Sequence, residues 1–214
     1  MPRRRKPPAA TVALLVRHGR TPTTGDVLPG RAPGLHLADV GRAQAEAVAE
    51  RLATLKSVDA VYASPLERTR ETAAPIARRL GLKVRSDRGL LECDFGEWTG
   101  AELKALRKLP EWKAVQRYPS GFRFPEGESF VEMQARVTGA VGRLRARHPG
   151  GTLVLVSHAD PIKAVVADAA GTHLDLFQRL VISPCSVTAI AFGDAGPAVL
   201  TVNSVGDLAE LTAS

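Results

Sequence analysis

The chain has 214 residues, of which 44% are hydrophobic, and a formal net charge of +7; this length fits one domain with a sizeable core. Aromatic residues make up only 5% of the chain, and no stripe of Lys and Arg interleaved with aromatics is visible. Nucleic-acid binding is therefore not expected as its main role. No apolar stretch approaches the roughly 20 residues of a membrane-spanning helix, so no membrane partner is expected.

Much of the positive charge lies at the start of the chain. The four basic residues at positions 3–6 leave only +3 for the remainder. Because prolines flank this basic run, we expect residues 1–10 to form a disordered tail. Residues 11–214 are expected to form a single domain.

A cytoplasmic location is expected for the protein. Basic residues before an apolar run outline a secretion signal, but this run ends in Arg17-His18-Gly19 instead of a small-residue cleavage site. Cys93 and Cys185 lie far apart in sequence, which suits a reducing compartment and offers no zinc-binding pair.

Apolar runs alternate with amphipathic stretches along the chain, and their periods distinguish strands from helices. In chain order the pattern predicts a strand at 11–16, a helix at 37–55, strands at 58–64 and 82–86 around a helix at 64–80, a helix at 129–147, a strand at 151–158, a helix at 160–171, and closing strands at 186–192 and 198–203. The apolar face of the first helix is predicted to carry Val40, Ala43, Ala47, Val48, Leu52 and Leu55.

Two helix starts show a capping-box pattern, in which a Ser side chain and a Glu three residues later satisfy free backbone N–H groups. Ser64 and Glu67 form the first pair, with Pro65 between them at the first helical position. Ser129 and Glu132 form the second pair.

Near-continuous Val, Leu and Ile in the strands favour a mainly parallel sheet that is covered on both faces. The predicted fold is an α/β three-layer sandwich with helices on both sides of a central sheet. Residues 90–128 interrupt the alternation with two Trp and several Pro and Gly. We interpret this segment as a small helical and loop insertion over the carboxyl ends of the strands.

Cationic side chains stand at the predicted strand ends, where ligands bind in open α/β sheets. The first strand delivers Arg17 and His18, the strand at 151–158 delivers His158, and the helix after the second strand carries Arg68. Arginine presents a fixed fork of donors that matches phosphate oxygens. This group of residues therefore indicates a phosphate site.

Two further features suit a phosphate site. The helix that follows His158 begins near Ala159, and its N-terminal N–H groups and dipole attract anions. A histidine among cations is held in its neutral form, which can attack phosphorus. Gly19 allows a close backbone approach or a sharp turn behind His18.

Five segments carry a resemblance to the histidine phosphatase superfamily, the phosphoglycerate-mutase-like group. They read "LLVRHGRT", "ASPLERTRETA", "LLECDFGEWTG", "FPEGES" and "LVSHAD". The chain looks closest to an actinobacterial phosphomutase-like or phosphatase branch of that superfamily. The resemblance implies a phosphoglycerate-mutase-like catalytic domain over residues 11–214.

The resemblance also implies roles for particular residues. His18 would be the nucleophile that carries the phosphoryl group as phosphohistidine, and Arg17, Arg68 and His158 would form the phosphate pocket around it. Glu92 would protonate the leaving oxygen and later activate water. From the residues alone, Asp94 and Glu97 remain alternative carboxylates for that role. No metal and no cofactor are implied.

The chain departs from the family pattern just after its first motif. Arg20 stands where an acidic residue or Gln is usual, Thr24 where Asn is usual, and Pro29-Gly30 where Gln-Gly is usual. Thr24 is a candidate phosphate ligand. Arg20 is a candidate contact for a second anionic group on the substrate.

The favoured hypothesis is a metal-independent phosphatase acting on a small phosphorylated metabolite. One alternative is a phosphomutase of the phosphoglycerate mutase type, an isomerase. Another is a protein that binds phosphorylated ligands without turnover. The physiological substrate and the oligomeric state do not follow from the residues.

Overall fold

The computed structural model describes residues 10–206, and six strands form its central sheet. The predicted basic tail lies, except for Ala10, outside the described residues. The strands are β1 (Thr11–Arg17), β2 (Ala60–Ala63), β3 (Val84–Ser86), β4 (Thr152–Ser157), β5 (Val187–Gly193) and β6 (Gly196–Ser204). All six coincide with predicted strands, although β2 and β3 are shorter than expected.

The sheet is mixed and mainly parallel, as predicted. Its strand order is β3-β2-β4-β1-β5-β6. The first four strands in this order run parallel, whereas β5 pairs antiparallel with β1 and β6 antiparallel with β5. In the β1–β4 ladder Arg17 pairs with Ser157. This register brings His18 and His158, each one residue further on, to the same edge of the sheet.

Helices cover both faces of the sheet and confirm the three-layer prediction. The α-helices are α1 (Asp39–Leu52), α2 (Glu67–Arg79), α3 (Leu103–Leu106), α4 (Trp112–Arg117), α5 (Phe130–Ala146) and α6 (Ala159–Ala169). One apolar core lies between the sheet and α1 and α2, and the other lies between the sheet and α5 and α6. Within residues 10–206, no helix combines the length and apolarity needed to cross a bilayer.

The predicted insertion contains α3, α4 and short 3-10 turns at Gly96–Trp98 and Pro119–Gly121. Its aromatic rings pack edge to face or stacked, with Trp98 at the centre of contacts to Trp112 and Phe124. Backbone hydrogen bonds join it to the loop after β1, from the Leu28 N–H to the Ala101 carbonyl and from the Leu103 N–H to the Asp26 carbonyl. These bonds hold the insertion over the carboxyl end of β1.

One predicted capping box is correct and the other is wrong. The Ser129 side chain accepts from the Glu132 N–H, and the Glu132 side chain accepts from the Ser129 N–H. At the other site α2 begins only at Glu67, and no side chain caps it. Ser64 is instead fully buried at the end of β2, where its hydroxyl hydrogen-bonds to His158.

The buried face of α1 also differs from the prediction. It consists of Gly41, Ala45, Val48, Ala49 and Leu52. Val40 is 52% exposed, and Ala43 and Ala47 face solvent as well. Alanines occur on every side of this helix, so their spacing gave a weak signal of which side is buried.

Candidate active site

A cleft of about 190 Å³ opens at the carboxyl ends of β1 and β4. Five of the predicted site residues line it, namely Arg17, His18, Thr24, Glu92 and Ala159. Arg68 and His158 are fully buried next to it. Seven of the eight predicted residues therefore gather at one edge of the sheet, and Arg20 is the exception.

His18 is held as a neutral imidazole with one nitrogen free. Its Nδ1 lies 2.8 Å from the Gly19 carbonyl oxygen, so Nδ1 carries the proton and Nε2 keeps its lone pair. Burial, with the positive charges of Arg68 and Arg17, holds the pKa of His18 well below its ordinary value of 6.5. A neutral ring with an available Nε2 is the form that can act as a nucleophile.

Gly19 positions this histidine through a close backbone approach, one of the two roles predicted for it. A Cβ atom at residue 19 would stand 2.5 Å from the Gly41 carbonyl oxygen of α1. The Gly19 N–H also donates to the Thr72 hydroxyl of α2 at 3.0 Å. The segment after β1 is thus fixed against both helices on that face of the sheet.

Arg68 is a fully buried cation and Arg17 a partly buried one, and both have donors to spare. Arg17 donates from Nη1 to the Ile182 carbonyl at 2.6 Å, and Arg68 donates from Nη2 to the Gly30 carbonyl at 2.7 Å. The Nε of Arg17 and both Nε and Nη1 of Arg68 are buried without a partner. Unpartnered buried donors are uncommon and costly in folded proteins, so their concentration here indicates a site for an anion.

His158 adds a further free nitrogen. Its Nε2 lies 2.9 Å from the Ser64 hydroxyl, while its Nδ1 is buried without a partner. The two histidine rings meet edge to face with centroids 5.2 Å apart. Burial, Arg68 and the neighbouring His18 hold the pKa of His158 well below its ordinary value. When Nε2 accepts from Ser64, the Nδ1–H of the neutral ring is available to an anion.

Glu92 is a buried carboxyl that also lines the cleft. Burial and the nearby carboxylate of Asp160 raise its pKa to about 7, although the Cys93 N–H, Arg68 and Arg17 oppose the shift. A group with this pKa can both give and take a proton near neutral pH. The alternatives Asp94 and Glu97 do not line the cleft, and Asp94 is paired with Arg31 at 3.2 Å.

The positions that depart from the family pattern have three different outcomes. Thr24 lines the cleft, and its hydroxyl accepts from the Thr21 N–H at 2.9 Å. Gly30 has a positive φ of 52° and turns its carbonyl to Arg68. Arg20 is not brought to the cleft: it is exposed, and its backbone N–H is tied to Gln44 next to the close approach of residue 19 to α1.

Several residues of the site were not predicted. Asp160 lies in the first turn of α6 and raises the pKa of Glu92; its position two residues after His158 was the available signal. Ser64 was predicted as a helix cap and not as the partner of His158. Leu28, Phe95 and Leu103 form an apolar wall of the cleft, and nothing in their local sequence indicates this.

The arrangement can bind a phosphoryl group, attack it with the imidazole of His18 and exchange a proton with it through Glu92. Arg17, Arg68 and the N-terminus of α6 surround the space beside the free nitrogen of His18. Glu92 supplies a titratable carboxyl on the far side. Among residues 10–206, no group of three or more His, Cys, Asp and Glu side chains is placed to hold a metal ion.

Comparisons with known proteins agree with this geometry. A family model described as the histidine phosphatase superfamily (branch 1) matches residues 13–205. The uncharacterized protein Rv0525 of Mycobacterium tuberculosis is 41% identical over 158 residues, which are 72% of this chain and 76% of that protein. Phosphoserine phosphatase 1 of Hydrogenobacter thermophilus is 31% identical over 202 residues, which are 92% of this chain and 94% of that protein.

Solved structures share the fold. The mycobacterial glucosyl-3-phosphoglycerate phosphatase Rv2419c has a TM-score of 0.81 at 26% sequence identity, and the match covers 91% of this chain and 99% of that structure. Other similar proteins carry names of the phosphoglycerate mutase type.

Proposed function

This chain belongs to the histidine phosphatase superfamily (branch 1), and on that basis we propose that it hydrolyses small phosphomonoesters through a phosphohistidine at His18, without a metal ion. The observation that carries the proposal is the neutral His18 beside the unpartnered donors of Arg17, Arg68 and His158. A phosphate dianion satisfies these donors and stands next to the free Nε2.

In the first step Nε2 of His18 attacks phosphorus, and the bond between phosphorus and the alcohol oxygen breaks. The proton of Glu92 goes to the departing oxygen, so a neutral alcohol leaves. The Nδ1–H of His18 continues to donate to the Gly19 carbonyl oxygen, which stabilises the positive charge that the ring gains when Nε2 is phosphorylated. The products of this step are the alcohol, phosphohistidine and the Glu92 carboxylate.

In the second step a water molecule attacks the phosphohistidine. The Glu92 carboxylate takes a proton from the water, the new bond from oxygen to phosphorus forms, and the bond from phosphorus to Nε2 breaks. Orthophosphate, neutral His18 and protonated Glu92 result, which restores the starting state. One carboxyl serves both steps because its pKa of about 7 leaves both forms accessible near neutral pH.

Charge stabilisation in both steps comes from fixed groups of the protein. The transferring phosphoryl group spreads negative charge over its equatorial oxygens, and catalysis depends on positioning and on neutralising that charge. Arg17, Arg68 and the Nδ1–H of His158 are already buried and oriented. They need little reorganisation when the reaction occurs.

The lining of the cleft favours hydrolysis over the mutase alternative. A phosphoglycerate or a bisphosphate intermediate carries a second anionic group close to the reacting phosphate. Since His18 is neutral, Arg17 is the only cationic side chain among the described residues that line the cleft, and the wall of Leu28, Phe95 and Leu103 is apolar. Incubation with 3-phosphoglycerate and a bisphosphate primer distinguishes the two activities, because we expect free phosphate and no isomer.

The experiment that tests the proposal compares the parent with His18→Ala on p-nitrophenyl phosphate in the presence of EDTA. We expect phosphate release by the parent to be insensitive to EDTA and to vanish in the variant, with an unchanged circular dichroism spectrum. His173→Ala is the matched control, because His173 is exposed outside the cleft. Equal rates in parent and His18→Ala would overturn the proposal, and phosphate binding without turnover would favour the non-catalytic alternative.

The proposed substrate is a small phosphorylated metabolite. The proposed location of the protein is the cytoplasm. Both cysteines are buried and unpaired by disulfides, which is compatible with a reducing compartment. Fractionation of the native cells tests the location, and recovery in the secreted fraction would contradict it.

A further inference from the structure

Three charged side chains from distant parts of the chain converge on residues 89–94, which we call the Glu92 loop. They are Arg31 from the loop after β1, Glu128 from the end of the insertion and Arg136 from α5, and together we call them the clamp. The Glu92 loop contains only one 3-10 turn, at Arg88–Leu90. Its backbone carbonyls therefore depend on partners outside the loop.

Arg136 supplies most of these partners. Its Nη1 donates to the carbonyls of Gly89 at 3.0 Å and Leu91 at 2.9 Å, and its Nη2 donates to the carbonyl of Glu92 at 3.2 Å. The same guanidinium holds both carboxylate oxygens of Glu128, at 2.7 and 2.8 Å. Only a planar fork of five donors can make all these contacts at once.

Arg31 completes the clamp from the other side. Its Nε donates to the Glu92 carbonyl at 2.9 Å, and its Nη2 donates to Glu128 at 2.9 Å. Glu128 also accepts from the Asp94 N–H at 3.2 Å. The carbonyl of Glu92 is thus held by two guanidinium groups, which Glu128 joins to each other.

We propose that the clamp is a positioning device for the proton donor: Arg31, Glu128 and Arg136 fix the backbone of Glu92 so that its carboxyl stands at the leaving oxygen of the substrate. The inference rests on the proposed role of Glu92. None of the three clamp residues lines the cleft, so they act through Glu92 and not on the substrate.

The geometry gives the clamp a direct effect on proton transfer. Within residues 10–206, the Glu92 carboxyl accepts a hydrogen bond only from the N–H of the adjacent Cys93, at 2.9 Å, so its position follows the backbone of its own loop. Proton transfer requires a donor and an acceptor within hydrogen-bond reach. A shift of about 1 Å from a distant substitution is enough to lower a rate by orders of magnitude.

A merely structural clamp and a positioning clamp predict different kinetics. A structural defect lowers the amount of active protein and reduces the rates for all substrates equally. A displaced proton donor slows only those esters whose alcohol leaves poorly without a proton. Esters that release a stabilised phenolate are barely affected. The value of kcat/KM reports the transfer of the proton to the leaving oxygen, because it depends on the steps from substrate binding to the departure of the alcohol.

The test measures kcat/KM for p-nitrophenyl phosphate and for glycerol phosphate in the parent, Arg136→Lys and Arg31→Lys. Lysine keeps the charge but cannot span the carbonyls. We expect about a tenfold loss on glycerol phosphate and less than about a threefold loss on p-nitrophenyl phosphate. Arg31→Lys provides the same comparison from a partly exposed position if Arg136→Lys does not fold. Equal losses on the two esters would overturn the inference.

The matched control is Arg78→Lys, which alters an exposed ion pair between α1 and α2. We expect this control to retain both rates. In the Glu92→Gln protein, Arg136→Lys should add no further loss on glycerol phosphate, because residues that act through one another are not additive. A full additional tenfold loss in that background would overturn the inference.

The single variant Glu92→Gln distinguishes a failure of the clamp inference from a failure of the proposed role of Glu92. Selective loss on glycerol phosphate in Glu92→Gln, without selective loss in either clamp variant, overturns the clamp and leaves the proposed function standing. If Glu92→Gln slows both esters equally or neither, the proton-donor role fails, and the clamp inference fails with it.

Discussion

Two pairs of arginines act on Glu92, Arg17 with Arg68 and Arg31 with Arg136, and the pairs differ in how their donors are used. Arg17 and Arg68 each make one side-chain hydrogen bond to a protein carbonyl and leave buried nitrogens without a partner. Arg31 and Arg136 direct their donors to backbone carbonyls and to carboxylates. The first pair is arranged for a group that the polypeptide lacks, whereas the second pair is arranged for the polypeptide itself.

The pairing of their donors distinguishes arginines that could bind a ligand from arginines that support the Glu92 loop. Neither residue type nor burial distinguishes them as clearly. All four side chains are arginines near the same loop, and none is fully exposed. An unpartnered buried donor lowers stability and is retained where a ligand compensates. A partnered one stabilises the loop. The five predictions below test this distinction, from the largest expected effect to the smallest.

Arg68→Met should separate activity from stability. We expect kcat/KM to fall by about 10²- to 10³-fold, because a preorganised donor to the transferring phosphoryl group is lost. The melting temperature near pH 6.5 should stay the same or rise, because a buried and poorly partnered cation has been replaced by an apolar side chain of similar length. Phosphatase assays and thermal unfolding measure the two quantities. A large fall in melting temperature with activity retained would remove the distinction.

The titration of Glu92 should determine how kcat/KM falls at alkaline pH. Protonated Glu92 is the proton donor and its pKa is raised to about 7, so kcat/KM for glycerol phosphate should fall about tenfold per pH unit above that value. Titration of His18 should not lower kcat/KM near pH 6.5, because burial holds its pKa well below that value; the fall on the acid side should follow protonation of the substrate dianion at about pH 6. In Glu92→Gln the alkaline fall should disappear. A profile that falls equally in the variant would contradict the assignment.

The same pKa makes a prediction for stability. Because burial raises the pKa of Glu92 above its ordinary value of 4.5, the unfolded chain loses this proton at lower pH than the folded protein does. The contribution of this group to stability is therefore full below about pH 4.5 and decreases up to about pH 7. Glu92→Gln should gain in melting temperature relative to the parent between pH 5 and pH 8. A constant difference would contradict the raised pKa.

Arg136→Met should show the opposite pattern to Arg68→Met. Removing the fork leaves the carbonyls of Gly89 and Leu91 without a side-chain partner, and we expect the free energy of unfolding to fall by about 1–3 kcal/mol. Denaturant titration of Arg136→Met beside Arg78→Met measures the change. Unchanged stability would show that the clamp does not support the loop.

Ser64→Ala should have the smallest effect. The hydroxyl orients His158 through its Nε2 at 2.9 Å, and its loss removes one hydrogen bond but no charge. We expect kcat/KM to fall by no more than about tenfold and stability by about 1 kcal/mol. Ser129→Ala, a true helix cap, is the matched control: it should cost similar stability and leave kcat/KM unchanged.

Sequence patterns predicted the sheet and the gathering of Arg and His side chains at its edge, because both depend on local signals. Continuous apolar runs mark buried strands. The rule that ligands bind at the carboxyl ends of parallel strands predicted that His18 and His158 lie at the same edge of the sheet. The family resemblance singled out Glu92 over Asp94 and Glu97. The structure agrees to the extent that only Glu92 of the three lines the cleft.

Tertiary contacts account for what the patterns missed. Ser64 has the sequence of a helix cap, but burial beside His158 gives its hydroxyl a different partner. Arg20 was a candidate substrate contact because it places a positive charge where the family pattern has an acidic residue, yet the backbone there is held against α1. Arg31, Glu128 and Arg136 each resemble an ordinary surface charge. Only the folded chain brings the two arginines to the Glu92 carbonyl and Glu128 to both arginines.

The central claim is that His18 accepts the phosphoryl group, and rapid-quench trapping tests it most directly. The parent is mixed with p-nitrophenyl phosphate, denatured within milliseconds in alkali, digested and analysed by mass spectrometry. We predict one phosphoryl group on the peptide that contains His18, formed before steady-state phosphate release and absent from His18→Ala. Turnover without this adduct, or a phosphoryl group on any other residue, would contradict the account.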